Sequence, residues 1–424
     1  MITRPRMEFE GGLPDGKLLA SCLRQQLTGA GRLARLYAYY RGGHAIQARV
    51  RGAGLPNMKL AHAYPRYIST MAAGYLIGNP VRYEAPGQEE ALSALLRAYD
   101  SCAIDSVDAE LARAASICGK GVELLYADER ARPRAACLDA RDAFVVYDDS
   151  VENRPLLGMS CMPMRTPGGR LEGFRVQVYT DVSVLSYREE SLTEARFEAP
   201  VRVEPHYFGR VPLIEYWNDE SEHGDFEDVI GLIDAYDLLQ SDRRNDKQQF
   251  VDALLVLYGC TLETDARGRT PGQQLREDKA LAMPDSDARV EWLCKQLNEA
   301  DAEVLRAAIR SDIHKMSLVP DLTDEQFAGN SSGVAMRYKL LGLEQLTKIK
   351  ERWFREGLRA RLEGFAHFLA CRGEKPLDAD GVRMIFSRSL PVNELENAQT
   401  LSELKDILPQ EELARRAMNM AGMR

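Results

Sequence analysis

The residues with chemistry to offer are scattered. Gly29-Ala30-Gly31-Arg32-Leu33-Ala34 fits the Gly-x-Gly-x-x-Ala pattern of a dinucleotide site. That pattern works where a strand delivers the glycines to a helix N-terminus; here the preceding residues read as helix, so the glycines read as a helix break. No Gly-x-x-x-x-Gly-Lys-Ser/Thr loop, His-Glu-x-x-His or Gly-x-Ser-x-Gly occurs, and the six histidines stand apart from one another. Asp219 to Gly224 imitates the start of a calcium loop, but the twelfth position is Ile230, which has no carboxylate to give. Asp139, Asp142, Asp148 and Asp149 have donor chemistry for a divalent metal, yet Asp148-Asp149 directly follows the apolar run Phe144 to Tyr147 and reads as a solvated turn. The sequence nominates no catalytic residue, metal-ligand set or cofactor, and the expectation is a protein that is not an enzyme.

Two charge runs stand out instead. Asp219 to Asp242 holds nine acids and no Lys or Arg, and reads either as a solvated acidic face or as a functional cluster. Arg337 to Arg361 holds eight basic residues against three acids, each basic side chain reading first as surface or intersubunit pairing. The whole chain is acidic, with net charge -9 over 424 residues, which argues against a tight, whole-surface DNA binder. Its eight cysteines form no Cys-x-x-Cys pair and read as reduced thiols in a cytoplasmic compartment. Neither a secretory core nor a membrane-spanning apolar run is present, so no export by signal peptide and no membrane are expected.

Length suggests two or three domains and periodicity suggests an α+β fold. Residues 15–41, 60–76 and 89–118 read as helical, with a Gly-rich loop from Gly42 to Pro56 and a short strand near Val81 and Tyr83. Between Gly121 and Glu215 the period changes to two, giving antiparallel strands at 121–126, 143–147, 156–162, 174–179, 182–187 and 201–207. Phe226 to Tyr258 reads as one helix about 50 Å long, apolar in front and polar from Gln240 to Gln249. A β insert (279–283 and 289–294), a returning helix (301–316) and a hinge-like loop (Pro320 to Gly333) follow. A long helix over 334–372 contains Gly342, Gly357 and Gly364, where a kink is expected; a strand at 382–387 and short helices complete the chain.

The motif Tyr39-Tyr40-x-Gly42-x-His44-x-Ile46 is followed by Asn57-x-Lys59, Tyr67-Ile68 and Gly74-Tyr75-x-x-Gly78-x-Pro80-Val81-x-Tyr83. Phe144 to Asp149, Ser332-Gly333-Val334-Ala335 leading to Tyr338 through Glu344, and Phe386-Ser387-Arg388-x-Leu390-Pro391-x-Asn393 come later in order. Together, over roughly residues 30 to 410, these resemble the portal proteins of tailed double-stranded-DNA phages, the family typical of long-tailed phages of Gram-positive hosts. Ala63 departs from that family's usual Asn, and the acidic tail after the last helices is missing.

The resemblance implies a ring of about twelve subunits at one capsid vertex, through which DNA enters and leaves. It implies a wing (1–225), a stem helix (226–258), a clip (259–297), a second stem helix (298–317), a tunnel loop (318–333), a long wing helix (334–373), and a return strand with a short crown (374–424). The stem helices would pack one face on neighbouring subunits and line a wet channel with the other. Asp321, Asp324, Glu325, Gln326, Phe327, Asn330, Ser331, Lys339 and Lys348 would lie along the DNA channel, and Arg289, Glu291 and Trp292 in the partner-docking clip. Implied partners are double-stranded DNA without sequence preference, the terminase motor, scaffold and major capsid protein, and the head-completion adaptor. The implied location is the virion, with assembly in the host cytoplasm. The alternative is a metal-dependent DNA-processing enzyme using the acidic clusters; a coiled-coil scaffold fails because heptads are not sustained.

Overall fold

The computed structural model describes residues 1–6, 14–52, 55–249, 254–258, 264, 268–270, 273, 289–293, 299–322, 338–388 and 402. Two units emerge: Met1–Gly43 with Ala63–Ile230 and Ile313–Arg424, and His44–His62 with Gly231–Asp312.

The first unit opens with β1 (Ile2–Arg4) and α1 (Gly16–Tyr40), whose first turn is capped by the Asp15 carboxylate. Helix α2 (Tyr64–Ile77) starts later than the sequence suggests, because Pro65 sets its first turn. β2 (Arg82–Glu84) leads to α3 (Glu89–Ser101) and α4 (Ile104–Cys118). These read as one helical stretch in the sequence; the break falls at Ala103, which sits at φ 51.

Two sheets follow, from β3 (Lys120–Ala127), β4 (Pro133–Leu138), β5 (Ala143–Asp148), β6 (Pro155–Arg165), β7 (Leu171–Tyr179), β8 (Ser183–Glu189), β9 (Arg202–Pro205) and β10 (Leu213–Trp217). One has the order β1-β5-β6-β7-β8-β9 and is antiparallel except that β1 joins β5 in parallel; the other is β10-β3-β4. Periodicity missed β1, β4 and β10: β1 and β10 are short, and Pro-Arg-Ala-Ala-Cys-Leu in β4 has no β-branched residue.

Helix α5 (Ile230–Gln249), entered through a 3-10 turn at Glu227–Val229, ends before the expected boundary. The last residues of the expected 226–258 helix are instead β11 (Leu254–Tyr258), paired antiparallel with β12 (Arg289–Leu293). The apolar run Leu-Leu-Val-Leu-Tyr gains strand pairing that a helix end cannot offer. The other expected strand, 279–283, lies outside the described residues. Next come α6 (Glu299–Met316), α7 (Leu341–Cys371) and β13 (Arg383–Ile385), which pairs with β2.

Helix α7 runs through the core of the first unit, where Phe354, Leu358, Leu362 and Phe365 pack with Leu95, Tyr99, Leu111 and Tyr216. Two of its glycines have a packing reason: a Cβ on Gly357 would lie 2.5 Å from the Tyr216 ring, and one on Gly364 2.7 Å from Leu125.

Candidate channel and docking elements

One polar face of α5 does not reach open solvent. Asp237, Ser241 and Asn245 recur every four residues, share one helix face and are fully buried. The strap of residues 44–62 covers them. Asp237 accepts hydrogen bonds from the His62 backbone N–H (2.8 Å) and from the Nδ1 atoms of His44 (2.5 Å) and His62 (2.8 Å). Ser241 Oγ accepts from the Leu60 N–H at 3.0 Å, and Asn245 both accepts from the Met58 N–H (2.6 Å) and donates to its carbonyl (3.3 Å). Arg49 and Arg51 each reach Asp242 at 2.7 Å. Burial alone would raise the Asp237 carboxyl, but the hydrogen bonds from His44 and His62 outweigh it and hold the group below the usual carboxylate range. The chain's own strap satisfies this face, while Arg244, Lys247 and Gln248 on the same half of α5 are exposed. The strap groups with α5 in the second unit, whereas the sequence map groups it with residues 1–225.

Both charge runs are largely consumed inside the chain. Of the acidic run, Glu222 pairs with the N-terminal amine and Lys120, Asp225 with Lys350, and Glu227 with Arg32 at 2.6 Å. Of the basic run, Arg361 is fully buried between Asp108 (2.6 Å) and Glu123 (2.8 Å), and Arg359 hydrogen-bonds the Ala379 and Val382 carbonyls. Burial opposes the Arg361 charge; Asp108 and Glu123 overcome that and hold the guanidinium protonated. Asp148 closes its turn by accepting from Ser150 and the Arg154 N–H, and Asp139 holds Arg141 at 2.6 Å. Among the described residues no group of three or more His, Cys, Asp or Glu is arranged to hold a metal ion.

The expected tunnel loop is described only at its root. Tyr67 Oη donates to the Pro320 carbonyl (2.8 Å) and accepts from the Leu322 N–H (3.2 Å). His314 Nδ1 donates to the Val319 carbonyl at 2.9 Å, its Nε2 lies 3.6 Å from Asp321, and the rings of Tyr64 and Tyr67 meet it edge-on. Asp321 is therefore part of a built anchor. Lys348 is exposed and lies 3.9 Å from Glu344 one turn away, while Lys339 is half-buried. Asp324, Glu325, Gln326, Phe327, Asn330 and Ser331 lie outside the described residues. In the β11–β12 pair, the expected clip, the register sets Arg289 opposite Tyr258, Glu291 opposite Val256 and Trp292 opposite Leu255.

Sequence reasoning missed Asp237 as an anchor, the Arg361–Asp108–Glu123 cluster and the Tyr67 anchor. The spacing of Asp237, Ser241 and Asn245 was the available signal for the first, since polar residues every four positions mark one covered face as readily as a wet one.

The family model described as phage portal protein, SPP1 Gp6-like, matches residues 19–422. The chain is similar to the portal protein of Bacillus phage SPP1, with 24% identity over 364 residues, 81% of this chain and 69% of that protein. It is also similar to the portal protein of Clostridium phage phiCD119, with 20% identity over 205 residues, 48% of this chain and 44% of that one. Among solved structures, a chain from the neck of an empty gene transfer agent particle computed with C6 symmetry has a TM-score of 0.49 at 12% identity, covering 86% of this chain and 91% of that one. A chain from the virion of a native gene transfer agent particle has a TM-score of 0.47 at 12% identity, covering 93% and 94%.

Proposed function

The chain belongs to the SPP1 Gp6-like phage portal protein family, and from that premise we propose that it is the portal vertex subunit of a tailed-phage capsid, forming a ring-shaped conduit for DNA packaging and ejection. The observation that carries this reading is the family match over nearly the whole chain, from residue 19 to residue 422. It is a structural role without catalysis: the packaging motor does the chemical work, and the ring supplies the passage and the docking surfaces.

We assign the second unit, Gly231–Asp312 with the strap His44–His62, to the stem and clip, and the first unit to the wing. The boundaries at Ile230 and Asp312, close to the expected 226 and 317, support this division. The loop beyond Leu322 is the proposed tunnel loop, with Lys339 and Lys348 as weak phosphate contacts near it. The proposed partners are the terminase, scaffold and major capsid protein, and the head-completion adaptor at Arg289, Glu291 and Trp292. The proposed setting is the capsid vertex, after assembly in the host cytoplasm. No observation favours the metal-dependent enzyme.

Each subunit carries net charge -9, so an assembled ring repels most of a duplex and grips it weakly. Titrating the assembled protein with linear duplex DNA should give weak, salt-sensitive binding with no preference between unrelated sequences. Submicromolar sequence-selective binding, or cleavage on adding magnesium, would contradict the conduit.

A further inference from the structure

One side of helix α7 is turned to two hollows in the first unit. Leu346, Ile349, Trp353, Glu356 and Ala360 recur at steps of three and four, so they share that side over about 21 Å. The first hollow, about 750 Å³, is walled by the loop from Asn218 to Asp228 and by Met316 to Leu318. The second, about 390 Å³, is walled by Tyr147, Arg210 and Trp217. Trp353 and Glu356 line both, which joins them into one groove.

The walls are apolar and aromatic. Met316, Leu318 and Ile349 are exposed at 59%, 45% and 48%. The Trp217 and Trp353 rings lie 5.4 Å apart, and Tyr147 meets Trp217 edge-on at 5.9 Å, so three packed rings form a preorganised wall of the kind on which binding energy concentrates. The rim is acidic. Asp225 is neutralised by Lys350, Glu215 by Lys120, Glu152 by Arg154 and Arg210 by Glu363, and the Asp219 carboxylate accepts from the Ser221 and His223 backbone N–H groups. Glu220, Asp228 and Glu356 are exposed and make no ion pair or hydrogen bond among the described residues, against one equally unpaired guanidinium, that of Arg352. Unpaired carboxylates beside aromatic walls repel a nucleic-acid backbone and favour cations carried next to apolar groups.

We infer that this groove docks a segment of another protein in which Lys or Arg side chains flank bulky apolar ones. The cations meet Glu220, Asp228 and Glu356, and the apolar side chains pack between Met316, Leu318 and Trp353. The length of the groove matches about 14 residues of helix. The inference stands on the groove alone and does not depend on the portal reading.

The probe is a synthetic peptide of about 14 residues built from Lys, Leu and Ala with its leucines on one face, alongside the same peptide with Glu for each Lys. Neither contains Trp, and two of the chain's three tryptophans stand in the groove, so tryptophan emission of the full-length protein reports on this site during titration. The Lys peptide should give a saturable change in emission and the Glu peptide none. Glu220→Gln/Asp228→Asn/Glu356→Gln should weaken the Lys peptide about tenfold, and so should Met316→Ser/Ile349→Ser. Both sets alter exposed positions, so circular dichroism should match the wild type. Glu129→Gln/Glu198→Gln/Glu374→Gln removes the same charge at exposed positions elsewhere and should weaken binding by less than about twofold. An emission change that does not saturate, equal binding of the Glu peptide, or equal weakening by the Glu129 set would overturn the docking site. So would folded groove variants that bind the Lys peptide as the wild type does; a fall in their light-scattering mass would then make the groove a contact between copies of this chain.

Discussion

Removing the Asp237 carboxylate takes the acceptor from His44, from His62 and from the His62 backbone N–H at once. Hydrogen bonds to a charged group contribute about 1.5–3 kcal/mol each at most, and their loss here falls on the strap rather than on the first unit's core. Asp237→Ala should therefore increase proteolytic cleavage between residues 44 and 62 by tenfold or more while leaving most of the thermal transition in place. Because the folded-state pKa of Asp237 lies below its unfolded value, its contribution is present at neutral pH and is lost as pH falls through that depressed value. Strap protection should decline on the acid side, below the ordinary carboxylate range, and an Asp237→Asn strap should lack that acid limb. Arg361 is the converse case. Arg361→Met leaves Asp108 and Glu123 buried without their cation and should cost about 3–5 kcal/mol in denaturant unfolding; adding Glu123→Gln should recover part of it. None of these partnerships was legible in the sequence. Local pattern exposes the acids and the bases as two runs, but the partners are brought together by tertiary folding across 193 residues for His44 and Asp237, and 238 for Arg361 and Glu123.

At the scale of elements, the legible parts were those with strong periodicity. Helix α1, the strands β7 and β8 and α7 follow from apolar spacing because each buries one face, while β5 and β6, buried over continuous runs, follow from short apolar runs bounded by turns. The boundary after Gln249 was not legible, since Leu254 to Tyr258 carries an apolar run that helix and strand accommodate equally and only its pairing with Arg289 to Leu293 decides. Glycine spacing in α7 was read as a kink, whereas at Gly357 the contact with Tyr216 supplies a packing reason. Tyr216 cannot yield: its hydroxyl donates to Glu123 at 2.6 Å and its ring packs 4.9 Å from Phe354. Gly357→Ala gains about 1 kcal/mol in helix propensity but overpacks that contact at about 1–3 kcal/mol, so the net effect on denaturant midpoint should be destabilising. For the β11–β12 pair, Trp292→Asp should impair ring assembly or adaptor docking with secondary structure intact. Collapse of the circular dichroism spectrum, with normal assembly of the surviving fraction, would place Trp292 in an internal core instead.

At the scale of the whole molecule, the family was legible because its motifs recur in order along the chain, and the match from residue 19 to residue 422 bears that out. The candidate site was legible only in part. Asp321 is tied to a Tyr67–His314 anchor, one polar face of α5 is covered by the strap, and Asp324 to Ser331 lie outside the described residues. Leu238, Val304 and Leu305 are exposed on α5 and α6, and the proposed function requires assembly with further copies of the chain. The account's central claim is that assembly. Imaging the purified full-length chain by negative stain, alongside its light-scattering mass, tests it directly: annular particles of about twelve subunits with a central hole are predicted. A strictly monomeric species at micromolar concentration across several salt conditions would contradict it.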